Sequence, residues 1–268
     1  MKEFNREIIN IEQLFDIKGV GVTSPIECRL ENGTEAIVKY PYNTAGNQVL
    51  FNELLGYLVA DAINTSIPRY GVCMLSEAVI SSTNYNEEIT NRNAGLCFYT
   101  EKISSTIPPS RVLVKVCEKV DTERLVLLDY LLNNFDRHTG NILLDINSSK
   151  IYVIDFSHII TRRFPSDFDE IRNLTKENVI VSSDLYYNNL DVYDMLGLSN
   201  DHSTLLSVAT EIKSILTGSL LNRILELIPQ QWIEMVTPQR VDLIIKMIEK
   251  RVLNIEKIAE LINAERSK

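Results

Sequence analysis

Over the first hundred residues, short β-branched runs alternate with turn residues, a pattern that predicts mostly β-strands. The clearest turn is Asn32-Gly33, which predicts a two-residue hairpin joining Ile26–Leu30 to Glu35–Lys39. From about residue 47 to residue 62 the apolar positions recur with a period near 3.6, which predicts one helix with an apolar stripe. Further strands are predicted at residues 70–74, 77–81 and 96–100.

Residues 104–110, rich in Ser and Pro, separate this part from one whose pattern is helical. We therefore expect an α+β protein with two lobes, a β-rich one at residues 1–106 and a mainly helical one at residues 107–268. A strong helix is predicted to follow Asp121 as N-cap. Thr237-Pro238 predicts another helix start, with Thr237 as N-cap and proline at the first helical position.

Length and composition are those of a globular protein, with 268 residues of which 45% are hydrophobic and 24% are charged. The net charge of −9 argues against nucleic acid or an anionic membrane as a partner. No window approaches the ~18 uninterrupted apolar residues of a membrane span, and the N-terminus lacks the apolar stretch of a signal peptide. The four cysteines show no C-x-x-C spacing, so we expect reduced thiols and a cytoplasmic location.

Residues 134–158 contain the most informative polar pattern of the chain. Two β-prone runs flank a three-residue turn, which predicts a hairpin over residues 142–154 centred on Ser148. Asn141 and Asp155 each lie seven residues from that centre. This register makes them cross-strand neighbours with Cβ atoms ~4.5–5.5 Å apart. Because an amide oxygen and a carboxylate suit Mg²⁺, which also takes substrate phosphates as ligands, the pattern predicts Asn141 and Asp155 as metal ligands.

Asp136 precedes Asn141 by five residues, the spacing between the catalytic Asp and the metal-binding Asn of the phosphoryl-transfer pattern H-R-D-x-x-x-x-N. A carboxylate at that position orients and deprotonates an acceptor hydroxyl. His138 is a second candidate for the base, but we favour Asp136 as the base and a structural role for His138 and His158. The alternative for the whole stretch is an ordinary surface loop followed by a hairpin.

The run Asp136-Arg137-His138-x-x-Asn141, followed by Asp155-Phe156-Ser157-His158, resembles the catalytic and metal-binding loops of HipA-like kinases and also those of phosphoinositide lipid kinases. The HipA-like kinases fit the rest of the chain better, through Thr23-Ser24-Pro25, Val38-Lys39 and Asn52-Glu53. The resemblance implies a bilobal, protein kinase-like fold. It also implies an ATP- and Mg²⁺-dependent phosphotransferase whose acceptor is a serine or threonine hydroxyl of a protein substrate.

The same resemblance implies which residues bind the nucleotide. Lys39 corresponds to the strand lysine that contacts ATP phosphates in kinases, and Glu53 to the helix glutamate that holds this lysine. The alternatives are an exposed lysine at the end of a strand and a solvated helix carboxylate. Residues 98–103, with Glu101 and Ile103, correspond to the hinge whose backbone binds adenine.

Gly21, Thr23 and Ser24 lie in a segment expected to cover the phosphates, because backbone N–H groups and hydroxyls donate to phosphate oxygens. In the HipA-like family a serine of this loop is itself phosphorylated, which suggests that Ser24 is a switch. The alternative is that the Ser24 hydroxyl caps the turn before Pro25, with Ser24 in the extended conformation that proline imposes on its predecessor.

Two rival functions follow from the same residues. A lipid kinase is supported by Asp136-Arg137-His138 and by Arg162-Arg163, which could grip a phosphorylated headgroup, but the net charge of −9 weighs against it. A pseudokinase would bind a nucleotide or a partner without turnover, and the presence of Asp136, Asn141 and Asp155 weighs against it. The oligomeric state does not follow from the sequence.

Overall fold

A computed structural model of the chain describes residues 1–17, 23–41, 48–83, 93–115, 117, 121–161, 168–176, 183–199 and 201–267. In this part of the chain a strand-rich N-terminal region precedes a C-terminal region that is mainly helical. The expected α+β class is therefore confirmed.

Five strands of the N-terminal region form a closed barrel. They are β1 (Phe4–Ile17), β2 (Ile26–Leu30), β3 (Glu35–Lys39), β4 (Tyr70–Leu75) and β5 (Gly95–Glu101). Their order is β1-β2-β3-β5-β4, and the barrel closes where β1 and β4 pair in parallel. The other neighbours are antiparallel. Buried apolar side chains fill the barrel as a cluster separate from the main core.

The β2–β3 hairpin has the predicted strands but a different turn. Arg29 pairs with Glu35, and Leu30 N–H donates to Thr34 O at 2.9 Å, which leaves three residues in the turn. Gly33, the last of the three, has φ +84, a left-handed conformation that glycine adopts without steric cost. The predicted two-residue turn is wrong, because a glycine after Asn also suits the left-handed position that ends a three-residue turn.

Two helices lie among the strands. Helix α1 (Gln48–Ala62) confirms the helix predicted near residues 47–62, but every residue except the last is buried, so it has no solvent-exposed face. Helix α2 (Glu77–Ser82) replaces the strand predicted at residues 77–81. Ser76 Oγ accepts the N–H of Val79 at 3.3 Å, and this N-cap starts a helix in spite of the β-branched residues that suggested a strand.

A small sheet connects the two regions. It consists of β6 (Thr106–Ile107), β7 (Ile142–Asp145) and β8 (Lys150–Val153), in the order β6-β7-β8. Strand β6 lies inside the Ser- and Pro-rich stretch that suggested the junction, and it pairs antiparallel with β7. A short helix, α3 (Arg111–Val114), follows β6. The boundary between residues 106 and 107 stays a prediction.

The C-terminal region contains the helices α4 (Thr122–Leu132), α5 (Phe168–Lys176), α6 (Ser183–Leu196), α7 (His202–Ile215), α8 (Gly218–Leu225), α9 (Gln230–Val236), α10 (Pro238–Leu253) and α11 (Ile255–Arg266). Asp121 caps α4 as predicted, because its carboxylate accepts Arg124 N–H at 2.9 Å. Pro238 begins α10 as predicted, but Thr237 is not a side-chain cap. Its φ of +82 is left-handed, and its side chain makes no capping hydrogen bond.

Helix α1 belongs to the main core and packs against α8 and α9 as well as β5. Trp232 of α9 is fully buried in this core. Helix α1 therefore carries its polar side chains into a fixed place between the barrel and the C-terminal helices. Within the described ranges no single helix is long and apolar enough to cross a membrane, although the bent pair α7 and α8 meets the criteria of length and composition.

Candidate active site

The β7–β8 hairpin differs in register from the prediction. Asp145 pairs with Lys150, which leaves four residues in the turn where three were expected. Ile154 N–H donates to Asn141 O at 3.0 Å, so Asn141 lies opposite Ile154. The predicted cross-strand pairing of Asn141 with Asp155 is wrong. Asp155 instead follows the strand with a left-handed φ of +61.

Three charged side chains from β3, α1 and the residues after β8 meet in one cluster. The Lys39 ammonium forms an ion pair with Glu53, and its Nζ lies 3.1 Å from Asp155 Oδ1. Glu53 Oε2 also accepts Phe156 N–H at 3.2 Å, and Ser157 N–H donates to Asp155 Oδ1 at 3.1 Å. The side chains of Lys39 and Glu53 are only 11% and 1% exposed, so neither is the solvated surface group of the alternative interpretation.

The cluster shifts the pKa of each member. Burial raises the pKa of Glu53 to about 7, although the Lys39 charge opposes this rise. Burial by itself lowers the pKa of Lys39, but the charges of Asp155 and Glu53 outweigh it, so that this pKa is raised. Burial by itself raises the pKa of Asp155, but Lys39 and the hydrogen bonds from Ser157 hold it well below its usual range. Lys39 and Asp155 are therefore charged at neutral pH.

Asn141 presents an oxygen that fits a metal ligand. The residue is buried, and its Nδ2 donates to Asp136 O at 2.7 Å. No described residue donates to Asn141 Oδ1. The Asp155 side chain is 30% exposed. An amide oxygen and a carboxylate are suitable ligands for Mg²⁺. The described residues contain no group of three or more His, Cys, Asp and Glu able to hold a metal.

The side chains of Asp136 and His138 are exposed, by 43% and 61% respectively. His138 Nδ1 accepts Gly140 N–H at 3.0 Å and caps the single 3₁₀ turn Thr139–Asn141. This contact fits the structural role that we favoured for His138. Its Nε2 lies 3.9 Å from Asp136 Oδ1, and the 43% exposure of the Asp136 side chain leaves its carboxylate accessible from outside.

A buried polar network beneath this loop was not predicted from the sequence. Arg137 Nη2 lies 3.1 Å from Asp129 Oδ1, and both side chains are fully buried. Asn134 Nδ2 and the Tyr193 hydroxyl donate to the same carboxylate at 2.8 and 3.1 Å. Arg137 Nη1 donates to Ile154 O at 2.7 Å, so the network also holds the backbone next to Asp155.

One sequence signal could have indicated this network. Asp129 interrupts the apolar run of α4, and a buried carboxylate needs an ionic or hydrogen-bonding partner. The residues of α6 that join this network, Asn189 and Tyr193, carry no comparable signal in the sequence. Asn189 accepts Arg137 N–H at 3.2 Å and donates to Asn134 O at 2.8 Å, yet its position in the sequence looks like any polar position of a helix.

The expected hinge lies at the end of β5. Glu101 N–H donates to Arg69 O at 2.8 Å, and Lys102 N–H donates to Glu35 O at 2.9 Å, so both amides are used inside the protein. Ile103 N–H has no hydrogen-bond partner in the described part of the chain. Among the described residues the Ile103 N–H is thus an unused backbone donor, whereas Glu101 helps to fix the strand that leads to it.

The expected phosphate-covering segment is described only in part. Gly21 lies outside the described residues, as do Arg162 and Arg163. Thr23 is buried, and Ser24 is half-buried with φ +42. The extended conformation expected for Ser24 before Pro25 is therefore wrong, because its backbone is left-handed. The phosphate-binding roles of Thr23 and Ser24 stay predictions.

Comparison with known proteins identifies relatives of this fold. The model of the HipA-like kinase family matches residues 11–259. The proinflammatory kinase CtkA of Helicobacter pylori is similar in structure, with a TM-score of 0.50 and 14% identity over 93% of this chain and 99% of that chain. A Golgi casein kinase has a TM-score of 0.46 and 12% identity over 97% of this chain and 75% of that chain. No curated protein matches the chain. The expected kinase-like fold is confirmed.

Proposed function

This chain belongs to the HipA-like kinase family and is a kinase-type phosphotransferase, and we propose that it transfers the γ-phosphoryl group of ATP, bound with Mg²⁺, to a serine or threonine hydroxyl of a protein. The observation that carries the proposal is the contact of Lys39 with both Glu53 and Asp155. Kinases need the ion pair between the strand lysine and the helix glutamate, together with the metal-binding aspartate, for phosphoryl transfer.

On the nucleotide side, Lys39 supplies a positive charge that Glu53 and Asp155 hold in place. Asn141 and Asp155 would hold Mg²⁺ together with the ATP phosphates, and the bound metal would supply charge neutralisation at the transferred group. The N–H of Ile103, which has no partner among the described residues, would donate to adenine. Gly21, Thr23, Ser24 and Glu101 complete the proposed nucleotide site.

On the acceptor side, Asp136 orients the incoming hydroxyl and accepts its proton. The acceptor oxygen then forms its bond to the γ-phosphorus while the bond from that phosphorus to the β-phosphate oxygen breaks. His138 braces the loop through its contact with Gly140 and is not needed as a second base.

A protein acceptor is supported by the place of Asp136. Its carboxylate lies on an exposed loop, which a folded or extended protein segment can approach. The net charge of −9 disfavours an anionic membrane surface as the source of the acceptor. We also propose a cytoplasmic location, which the four free cysteines support, and a lobe boundary at residues 106 and 107.

The test is transfer of labelled phosphate from γ-labelled ATP with Mg²⁺, to the chain alone, to a cell extract and to phosphoinositide vesicles. We expect label on protein serine or threonine with the wild type and its loss in Asp136→Asn. Asp242→Asn, at an exposed carboxylate paired with Lys246, is the matched control and should keep activity. Label on lipid alone would reassign the acceptor, and no transfer by the wild type in any arm would contradict the proposal.

A further inference from the structure

Residues 155–161, which we call the Asp155 segment, have an unusual backbone. Asp155 has φ +61 and Ile160 has φ +80. A positive φ is uncommon for any residue but glycine, and for a β-branched residue such as isoleucine it is an outlier. Such conformations persist only where the surrounding structure imposes them. The contacts that hold Asp155 and Ile160 in these conformations therefore show what fixes the Asp155 segment.

Asn52 of α1 binds the Asp155 segment from the barrel side. Its Nδ2 donates to Ser157 O at 2.7 Å and to Ile159 O at 3.4 Å, and the side chain is fully buried. The next residue, Glu53, accepts Phe156 N–H at 3.2 Å. Two consecutive residues of α1 thus bind three backbone groups of the segment, one of them immediately after Asp155.

The C-terminal region holds the same segment from another direction. Ile160 N–H donates to Leu132 O, and Asn133 Nδ2 donates to Ile160 O, both at 2.7 Å. Arg251 Nη2 donates to Asn133 Oδ1 at 2.9 Å, which fixes the orientation of that amide. Both backbone polar groups of the strained Ile160 are therefore bound.

Packing between α1 and the segment leaves little room for independent movement. A Cβ atom on Gly56 would lie 2.4 Å from Phe156 Cβ, so only glycine permits this close approach. The rings of Phe156 and Tyr57 are edge to face, with 5.1 Å between their centroids. Because α8 and α9 also pack on α1, a rotation of α1 would break contacts with both the segment and these helices.

We infer that Asn52 is a positioning residue that ties α1 to the Asp155 segment and so holds Glu53 and Asp155 around Lys39 before any nucleotide binds. The inference rests on the proposed function for the role of Asp155 as a metal ligand. In protein kinases, activation-loop phosphorylation and movement of the corresponding helix control this assembly. Here the contacts that assemble it lie within the described core, so the unphosphorylated chain should already have the assembled cluster.

Hydrogen exchange of the wild type tests the inference directly. In the nucleotide-free, unphosphorylated protein, peptides covering residues 155–161 should exchange as slowly as those of α4, and Mg²⁺–ADP should change their rates less than about twofold. Fast exchange in the free protein, with slow exchange only after Mg²⁺–ADP is added, would overturn the inference. This measurement does not depend on the folding of any variant.

Asn52→Leu keeps the side-chain size but removes both hydrogen bonds to the segment. We expect faster exchange of residues 155–161 in the free protein. We also expect about a tenfold increase in the Kd for Mg²⁺–ADP and in the Mg²⁺ concentration for half-maximal activity, since residues that support metal ligands affect metal affinity by roughly 10–100-fold. A merely structural role would lower the Tm without moving these values.

The matched control is Asn263→Leu in α11, which removes another buried amide that donates to a backbone carbonyl, His202 O, at 3.1 Å. It should leave the exchange of the segment and the Mg²⁺ dependence unchanged. Wild-type exchange and Mg²⁺ dependence in Asn52→Leu would reject the role of Asn52. If the wild type failed to bind Mg²⁺–ADP, the proposed function would fail, while the exchange measurement would still report on the tie between α1 and the segment.

Discussion

The proposed nucleotide side and the proposed acceptor side of the site are built in opposite ways. Lys39 and Glu53 are buried, and their charges are balanced by each other and by Asp155. Asp136 and His138 lie on an exposed loop, and the rigidity of that loop comes from buried polar groups beneath it. Charge pairing organises the first region, whereas hydrogen bonds to backbone and a buried ion pair support the second.

This difference corresponds to the different tasks that we propose for the two sides. ATP phosphates bring concentrated negative charge, so a lysine held in a partly dry environment interacts with them strongly and needs no reorganisation. The proposed protein acceptor would approach from outside, so the proposed base, Asp136, has to remain accessible. The Arg137–Asp129 pair resolves this conflict, because it stiffens the loop from below without covering Asp136.

The largest effect is expected for Asp155→Ala, which removes a proposed metal ligand and a carboxylate beside Lys39. Mg²⁺–ATP binding and turnover should weaken together, and kcat/KM should fall by about 10⁴-fold, because the charge stabilisation from a metal ion is worth several kcal/mol. Steady-state phosphotransfer measures the change. Asp145→Ala, at a carboxylate of the same hairpin, is the control. A wild-type kcat/KM in Asp155→Ala would exclude Asp155 as a ligand.

On the acceptor side, Asp136→Asn keeps the shape but loses the charge that accepts the proton. We expect kcat to fall by about 10²–10⁴-fold, the usual contribution of general acid–base catalysis, with KM for ATP little changed. His138→Asn should reduce kcat much less, since the His138 ring serves the loop through Gly140. A larger loss in His138→Asn than in Asp136→Asn would move the base to His138 and favour a lipid-kinase mechanism.

The scaffold of the acceptor side can be tested separately from its chemistry. Asp129→Ala leaves Arg137 buried without its ionic partner, and breaking such a pair costs about 3–5 kcal/mol of unfolding free energy. Urea unfolding measures this loss. Asp242→Ala removes an exposed carboxylate paired with Lys246 and should cost less than about 1 kcal/mol. Equal losses in the two variants would show that the buried network does not support the loop.

A smaller effect, confined to the nucleotide side, is the pH dependence of the unfolding free energy that Glu53 causes. Burial raises the pKa of Glu53 from 4.5 to about 7, so between these values the folded protein binds a proton that the unfolded chain releases. The resulting stabilisation is fully present below pH 4.5 and decreases by about 3 kcal/mol as the pH rises through 7. Lys39 and Asp155 do not titrate in this window, since the pKa of Lys39 is raised and that of Asp155 is lowered.

Glu53→Gln should therefore make the unfolding free energy less dependent on pH between about 5 and 7.5. Urea unfolding of the variant and the wild type at both pH values measures the difference. The same pH dependence in both proteins would mean that Glu53 does not titrate in this window.

Local chemistry made several features predictable from the sequence. Asp121 at the start of an apolar periodic run indicated the start of α4. The strand that ends at Lys39 and the helix that carries Glu53 follow each other closely along the chain, and the structure joins their side chains in an ion pair. The spacing of Asp136 and Asn141 corresponds to one short loop, which the hydrogen bond between them closes.

Features that depend on turn geometry or distant packing were not predictable. The β7–β8 turn is rich in Asn and Ser, which suit three or four residues equally, and the left-handed Ser149, with φ +55, completes the longer turn. The contacts of Asp129 with Arg137 and Tyr193 depend on how α4, the loop and α6 pack. No local pattern encodes that packing. The same holds for the burial of nearly all of α1.

The most direct test of the division between the two sides is calorimetric titration of Mg²⁺–ATP into Asp136→Asn and Asp155→Ala. The wild type is the reference. We predict a wild-type Kd for Asp136→Asn and a Kd at least about tenfold higher for Asp155→Ala, because only Asp155 belongs to the nucleotide side. Equal Kd values for the two variants, or weaker binding in Asp136→Asn than in Asp155→Ala, would contradict the account.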